Sequence, residues 1–379
     1  MKKKYVIFTL IIFILLVTTF TYFSTLKQNN IYKEESIKPT KITKGISMNL
    51  EQTAGAGDYK TVTQSGWPTD GYKFNTELSR CENGSTLSWD DSKKAVVMNG
   101  NVSDKCYVYF DKVLTLANYV ISQYTGIQGE NSLYYHDSNL ANGVGDNSYR
   151  YAGASDSVNN YICLGSDAAT CPDDNLFRII GVFGAQTKVI RAKSVGNQKW
   201  DTSSSNKWSS SSLNTYLNGT YLTSLGTLKN KIATTTWKVG GGTPANISEV
   251  VPATAYKNEV GSSASRTIVN KKIGLMYVTD YYYSASPSAW TLVGYNSSDT
   301  TKDYRVAKTI NWLYLGSYEW TISCHSGTSY SAFGVGNLGY VSGYFDVSTS
   351  SAVRPSFNLE SSVKYVSGSG SMSDPVRVN

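Results

Sequence analysis

The sequence predicts an α+β protein that is mainly β with short helices. Two observations carry this. Beyond the first 50 residues, apolar side chains recur in short alternating or β-branched runs, such as residues 94–98 and 106–110. Turn pairs such as Asn83-Gly84, Asp90-Asp91 and Asn99-Gly100 punctuate them. The composition, with 29 tyrosines, 32 glycines and 17 % charged residues, is that of a folded domain able to bury a core rather than a disordered chain.

The first element is a transmembrane signal anchor. Lys2, Lys3 and Lys4 precede residues 5–23, 19 positions without a charge, a glycine or a proline. At about 1.5 Å per residue they span roughly 28 Å as a helix, close to the hydrocarbon thickness of a bilayer. Lysines flanking such a span stay cytoplasmic, so residues 5–23 take the lipid bilayer as partner and the rest is exported. The predicted location is the cell membrane, single-pass, with a cytoplasmic N-terminus and an extracellular ectodomain. A cleaved signal peptide needs a small-x-small site, and residues 21–25 offer no convincing one. A lipoprotein needs a cysteine directly after the apolar run, and the first is Cys81. A type IV prepilin start is echoed by Phe8, Thr9 and Leu10, but Ile7 and Ile12 stand where that family has Gly and Glu.

The net charge of +7 is concentrated beside this anchor. Residues 1–44 hold eight lysines against Glu34 and Glu35, a net of +6, which leaves +1 for the rest. A nucleic-acid binder carries its positive charge on the folded domain; here it lies where lysines meet anionic headgroups. No nucleic-acid partner is expected.

Residues 24–50 are polar and lysine-rich and read as a flexible stalk. Residues 51–112 form the next module, with strands expected near 71–75, 85–89, 94–98 and 106–110, as a small antiparallel β-sandwich. A helix is expected over 114–124, with apolar residues at 116, 119, 120 and 124. It opens an ectodomain over 113–379. There strands are expected near 175–183, 188–192, 272–278, 320–323, 332–335 and 352–359, and helices near 210–217, 228–234 and from 280 to 284.

Five cysteines in an exported chain read as two local disulfides, Cys81–Cys106 and Cys163–Cys171, with Cys324 a thiol left over. Closing the two loops stabilises by about 3.5 and about 2.5 kcal/mol on the chain-entropy account. Cys324 adjoins His325, which suggests a nucleophile, but neighbours on a strand point to opposite faces. With His136 and His325 the only histidines, zinc sites and Ser-His-Asp triads have few ways to assemble. No phosphate loop, zincin helix or serine-hydrolase elbow is present. Glu319 and Asp280 could act as a glycosidase pair only if the fold joined them. No catalytic residue, resident metal or cofactor is expected, calcium being the one cation considered, at Asp137, Asn139, Asn142 and Asp146 or at Asp167, Asp173, Asp174 and Asn175. The first loop departs from the EF-hand register, with Ala141 at position 5. Runs such as Tyr281-Tyr282-Tyr283 have the composition of recognition surfaces, or of aromatics packed in a sheet core.

Four strings in the second half carry a resemblance: residues 208–219 with Trp208, Leu213, Tyr216 and Gly219; 273–280; 319–323; and 353–359 with Val353, Arg354 and Pro355. Together with 160–183 and 363–378 they resemble an uncharacterised domain family of bacterial surface proteins, related to the C-type-lectin-like fold shared with formylglycine-generating enzymes. Residues 75–112 resemble the small β-modules that precede such domains. The resemblance implies a rigid platform whose irregular loops bind ligands. It does not carry over the enzyme activity, because the copper-binding cysteine pair is represented by Cys324 alone. Ala352 in place of the usual glycine before Val-Arg-Pro is a mild departure from the pattern. Arg354 is expected to pair with a buried carboxylate. Loops 281–298 and 324–348 are expected to form the binding face, with Tyr282, Trp290, Trp312 and Tyr344 as aromatic contacts. The functional expectation is a membrane-anchored adhesion or binding protein for an extracellular glycan or protein; the alternative is an assembly subunit of an envelope or pilus-like apparatus, and an extracellular enzyme comes last.

Overall fold

The computed structural model describes residues 45–63, 65–68, 71–261 and 267–379. The expected anchor (5–23) and most of the stalk lie outside the described residues. Among those described, no helix is long and apolar enough to cross a membrane. The chain divides into two compact units, one ending at Val113 and one spanning Leu114–Asn379. The whole is mainly β with few helices.

The first unit is built on a five-stranded sheet in the order Tyr59–Val62, Gly45–Glu51, Lys105–Lys112, Tyr72–Phe74, with Arg80–Cys81 also paired to Lys105–Lys112. A hairpin of Thr86–Asp90 and Ala95–Asn99 packs Leu87, Trp89 and Val96 against Met48, Leu50, Phe74, Val108 and Phe110. Two features differ from expectation. Gly45–Glu51 begins inside the stretch read as stalk, and it pairs parallel, not antiparallel, to Lys105–Lys112. Its polar residues disguise it: Ser47, Asn49 and Glu51 alternate with apolar Met48 and Leu50, yet all are buried. Asn49 Nδ2 donates to the Val108 carbonyl (3.3 Å), and the Glu51 carboxylate accepts from the backbone N–H groups of Gly57 and Lys112 (2.9 Å each). Hydrogen bonding lets polar residues fill a buried strand face, so hydropathy misreads it. The chain between the parallel strands is long enough for the crossover that such pairing requires. Cys81 and Cys106 lie opposite each other on paired strands and form one disulfide.

In the second unit, a nine-stranded sheet runs Ile273–Gly274, Ser356–Leu359, Gln186–Arg191, Leu176–Phe183, Tyr161–Cys163, Val376–Val378, Tyr365–Ser367. Tyr149–Tyr151 joins Leu176–Phe183 and carries Leu133–Tyr135. A five-stranded sheet runs Asn197–Lys199, Ser350–Ala352, Glu319–Cys324, Ser331–Val335, Val341–Asp346. The helix expected at 114–124 is Leu116–Ser122, capped by the Thr115 hydroxyl. The one expected at 210–217 is Ser212–Tyr216, capped by Ser211. Residues 228–234 do not form an α-helix; a 3₁₀ run, Gly226–Lys231, ends as Ile232 bridges to Leu359.

The strand expected at 352–359 is broken, because residues 353–355 carry the chain from the five-stranded sheet to the nine-stranded one. Arg354 sits in that crossing and is buried, its Nε and Nη2 donating to Glu319 Oε1 (2.6 Å) and Oε2 (2.8 Å) and Nη2 also to the Leu313 carbonyl. The strand expected at 272–278 stops after Gly274, and Val278–Tyr283 is a helix. Its first turn explains this. The backbone N–H groups of Val278 and Thr279 donate to the buried Glu259 carboxylate (2.9 Å each), and Asp280 Oδ2 accepts from Tyr277 N–H (2.8 Å). Carboxylates at amides with no intrahelical partner favour helix where β-branched residues alone read as strand. All six residues of this helix are buried.

Asp280 Oδ2 also accepts from Lys188 Nζ at 2.5 Å, with both side chains buried. Removing one partner of such a pair leaves an uncompensated charge, so Lys188→Met should lower unfolding free energy by about 3–5 kcal/mol. Lys188→Met combined with Asp280→Asn, which retains an acceptor for Tyr277, should recover much of that loss. Denaturant titration of the three variants checks both outcomes.

Candidate ligand-binding face

The expected aromatic contacts separate on burial. Tyr282, Trp290 and Trp312 are core residues, at most 2 % exposed, whereas Tyr344 is 64 % exposed. Each buried ring uses its polar tip internally, as amphipathic aromatics do in a core. Tyr282 donates to the Ile247 carbonyl (3.1 Å), Trp290 to Ala285 (2.9 Å) and Trp312 to Tyr151 (2.8 Å). Trp312 also lies 4.6 Å from the guanidinium of buried Arg178. The Tyr281-Tyr282-Tyr283 run belongs to the buried helix, and the hydroxyls of Tyr281 and Tyr283 bond the Gly339 and Asn142 carbonyls.

The two loop regions expected to form the binding face do meet, through other rings. Tyr295 and Tyr340 lie 5.7 Å apart, Tyr340 and Phe345 6.4 Å, and Phe345 and Tyr318 5.6 Å. Arg305 sits over Tyr295 at 5.2 Å and over Tyr340 at 5.9 Å. The result is a strip of aromatic rings ending on a cation, with Tyr318 46 % exposed. Arg305 is fixed from beneath: its Nε is 2.9 Å from both oxygens of the fully buried Asp303, and its Nη2 donates to the Asn296 carbonyl (2.7 Å). The Asp303 carboxylate raises the guanidinium above its ordinary value, keeping it charged. Burial, then the Tyr318 hydroxyl, pushes Tyr340 up to about 12, so the phenol remains a neutral donor.

The turn supporting the strip requires glycine twice. Gly339 has φ +94°, and the Tyr281 hydroxyl donates to its carbonyl. A Cβ on Gly336 would lie 2.5 Å from the Tyr340 ring. Tyr344 neighbours Phe345 on the Val341–Asp346 strand and packs instead on the His325 ring, at 5.3 Å. It therefore lies off the strip. Spacing in sequence offered no signal for Tyr318 or Tyr295; strand pairing brings Tyr318 alongside Phe345, and the Val341 N–H to Gly294 carbonyl bond (3.0 Å) brings Tyr295 alongside Tyr340.

The other candidate chemistry is mostly occupied. Cys324 Sγ donates to the Val239 carbonyl (3.1 Å), while His325 Nδ1 accepts from Gly327 N–H (2.8 Å), so thiol and imidazole serve separate partners. Both line a cleft of about 630 Å³ with Asn206 and Trp208. Glu319 and Asp280 are committed to Arg354 and Lys188, not to each other. The calcium candidates bond protein groups: Asp146 holds Arg150 (2.7 Å) and the Tyr256 hydroxyl (2.7 Å), Asp137 caps its own turn, Asp173 pairs with Lys193 and Asp174 with Arg191. Among the described residues, the one cluster of three metal-ligating side chains is Cys81, Asp104 and Cys106, whose two sulfurs form a disulfide. The second disulfide, Cys163–Cys171, is also formed.

His136 is fully buried, its Nδ1 accepting from Val144 N–H (3.4 Å) and its ring packed on Tyr283 and Trp290. Burial first, and the Arg150 charge second, lower its imidazole to about 3. Unfolded histidine titrates near 6.5. The stability contributed by neutral His136 is therefore fully present above pH 6.5 and is lost as pH falls towards the folded value, by about 1.4 kcal/mol per pH unit. His136→Phe should flatten the fall in unfolding free energy between pH 6.5 and about 5, before most carboxylates titrate. An unchanged slope in denaturant titrations would reject the assignment.

No curated protein and no solved structure matches the chain. A family model described as "Domain of unknown function (DUF6273)" matches residues 185–361, a span that contains the whole aromatic strip.

Proposed function

We propose that the chain is a membrane-anchored surface protein whose second unit, of C-type-lectin-like type, binds an extracellular protein partner through the aromatic strip. The strip carries the reading. Tyr and Arg are among the residues that concentrate binding energy in protein interfaces, more so when held rigid before the partner arrives. Here the rings are pinned by Arg305 and Asp303 on one side and by the Tyr281-anchored turn on the other. Leu338, 49 % exposed, adds apolar area on that turn. The surface location is supported by Lys2–Lys4 ahead of the uncharged residues 5–23 and by two disulfides, which persist in oxidising compartments.

The test is binding of the full chain, reconstituted in vesicles, to arrays of extracellular proteins and of glycans. A protein ligand is expected, and Tyr340→Ala and Tyr318→Ala should each weaken its binding by about 10-fold or more without loss of folding, the range for truncating an interface hot spot. Silence on the protein array, or binding indifferent to both substitutions, overturns the reading.

A further inference from the structure

The cleft of about 630 Å³ that holds Cys324 and His325 shares no residue with the aromatic strip. It opens where the strand Glu319–Cys324 ends, between residues 206–209 and 324–329, with 239–241 and Thr267 completing it. Its volume is in the usual range of small-ligand clefts, roughly 300–1,000 Å³. The walls are fixed by one amide. Asn206 Nδ2 donates to the carbonyls of His325 (2.7 Å), Thr328 (2.8 Å) and Ser331 (2.8 Å), which ties the turn after the strand to the segment before Trp208. On the other side, Ser326 N–H donates to the Gly242 carbonyl (2.7 Å). A cleft held open in this way loses little ordering entropy when a ligand enters.

The chemistry presented there is one-sided. Among the described residues lining the cleft, exposed Lys207 is the one charged side chain, and there is no carboxylate. His325 is only 6 % exposed, and its Nδ1 accepts from Gly327 N–H, so the proton of the neutral ring sits on Nε2. Burial holds this imidazole below its ordinary value, which keeps it neutral near pH 7. Among the described residues no group accepts the Nε2–H, and Nε2 is not closed off from solvent. Trp208, buried in the opposite wall, likewise has an indole N–H without an acceptor. Donors at such depth are nearly always paired, so a lysine and two unaccepted N–H groups in one cleft call for an acceptor from outside the chain. Asn206, with Nδ2 committed to three carbonyls, has Oδ1 left for a donor.

We infer that this cleft binds a small organic anion, with its carboxylate or phosphate against Lys207 and the His325 Nε2–H and a hydroxyl of the same molecule on Asn206 Oδ1. An oxyanion accepts several hydrogen bonds at once, and charge-assisted bonds are roughly twice as strong as neutral ones. A cation would find no carboxylate to pair with and would be repelled by Lys207. A neutral ligand would forgo the attraction of the lysine. Carboxylates and phosphate esters share the chemistry that this set of donors recognises.

The experiment is calorimetric titration of the full chain, held in an uncharged detergent without a sugar headgroup. The probes are the carboxylates L-lactate and L-malate and the phosphate esters glycerol 3-phosphate and glucose 6-phosphate, with glucose and choline as neutral and cationic controls. At least one of the four anions should bind at least 10-fold more tightly than either control, and the tighter pair names the anion. Lys207→Gln and His325→Phe should each weaken that binding at least 5-fold, whereas Lys207→Arg, which keeps the charge, should retain it. Lys207 is exposed, so its substitution should leave Tm level and decides the matter even if His325→Phe fails to fold. Lys60→Gln makes the same charge change at an exposed position of the first unit and should leave affinity unchanged. No binding by any of the four anions, a control bound as tightly as they are, affinity indifferent to Lys207→Gln, or an equal loss with Lys60→Gln overturns the assignment.

Discussion

The second unit depends on a six-residue helix, Val278–Tyr283, buried on every side. A buried helix must satisfy its unpaired terminal amides from within the protein. Glu259 does so for Val278 and Thr279, and the same carboxylate accepts from the Ser323 hydroxyl on the five-stranded sheet. Asp280, in the first turn, reaches Lys188 on the nine-stranded sheet. Both sheets are thereby tied to one helix through buried carboxylates. Desolvation raises Glu259 above its ordinary value, and the hydroxyl and amide donors around it oppose that rise.

From this helix the tyrosines extend outward in three directions. Tyr281, Tyr282 and Tyr283 bond the carbonyls of Gly339, Ile247 and Asn142, each in a different segment, Ile247 at the end of the short helix Pro244–Ile247. A tyrosine combines a large apolar body with one directional donor, which suits it to fix a loop from below. The loops so held include the Gly336–Tyr340 turn, whose outer surface carries Leu338 and Tyr340 of the proposed binding face. Rigidity at a binding surface reduces the entropy lost on association, so the core helix and the surface strip are parts of one physical arrangement.

The ionic pairs in this core act as connectors more than as a source of net stability. A buried pair gives back in attraction much of what desolvation costs, while the loss of one partner is severe. Arg354 is such a connector: it lies where the chain leaves one sheet for the other, and its fork to Glu319 ties that crossing back to the Glu319–Cys324 strand.

Local chemistry sufficed for several features. Cap residues Thr115 and Ser211 marked two helices, and apolar runs marked Leu176–Phe183, Gln186–Arg191 and Ser331–Val335. Cysteine spacing marked both disulfides. Pro244 and Pro252, each at the first turn of a short helix, are local signals of the same kind. What local chemistry could not supply was the partner of each polar or aromatic group. Ser47 and Asn49 read as a solvated stalk because what buries them lies far along the chain: Asn49 bonds the Val108 carbonyl, 59 positions away. Tyr282, Trp290 and Trp312 read as contact residues because a tyrosine or tryptophan has the same composition in a core as on a surface. The sequence by itself determined the capped helices Leu116–Ser122 and Ser212–Tyr216 and the strands Leu176–Phe183 and Gln186–Arg191, since propensity, caps and turns act over a few residues. Only the tertiary structure decided which rings face outward and which carboxylates meet which cations, because burial and pairing are properties of neighbours that the chain brings together only when it folds.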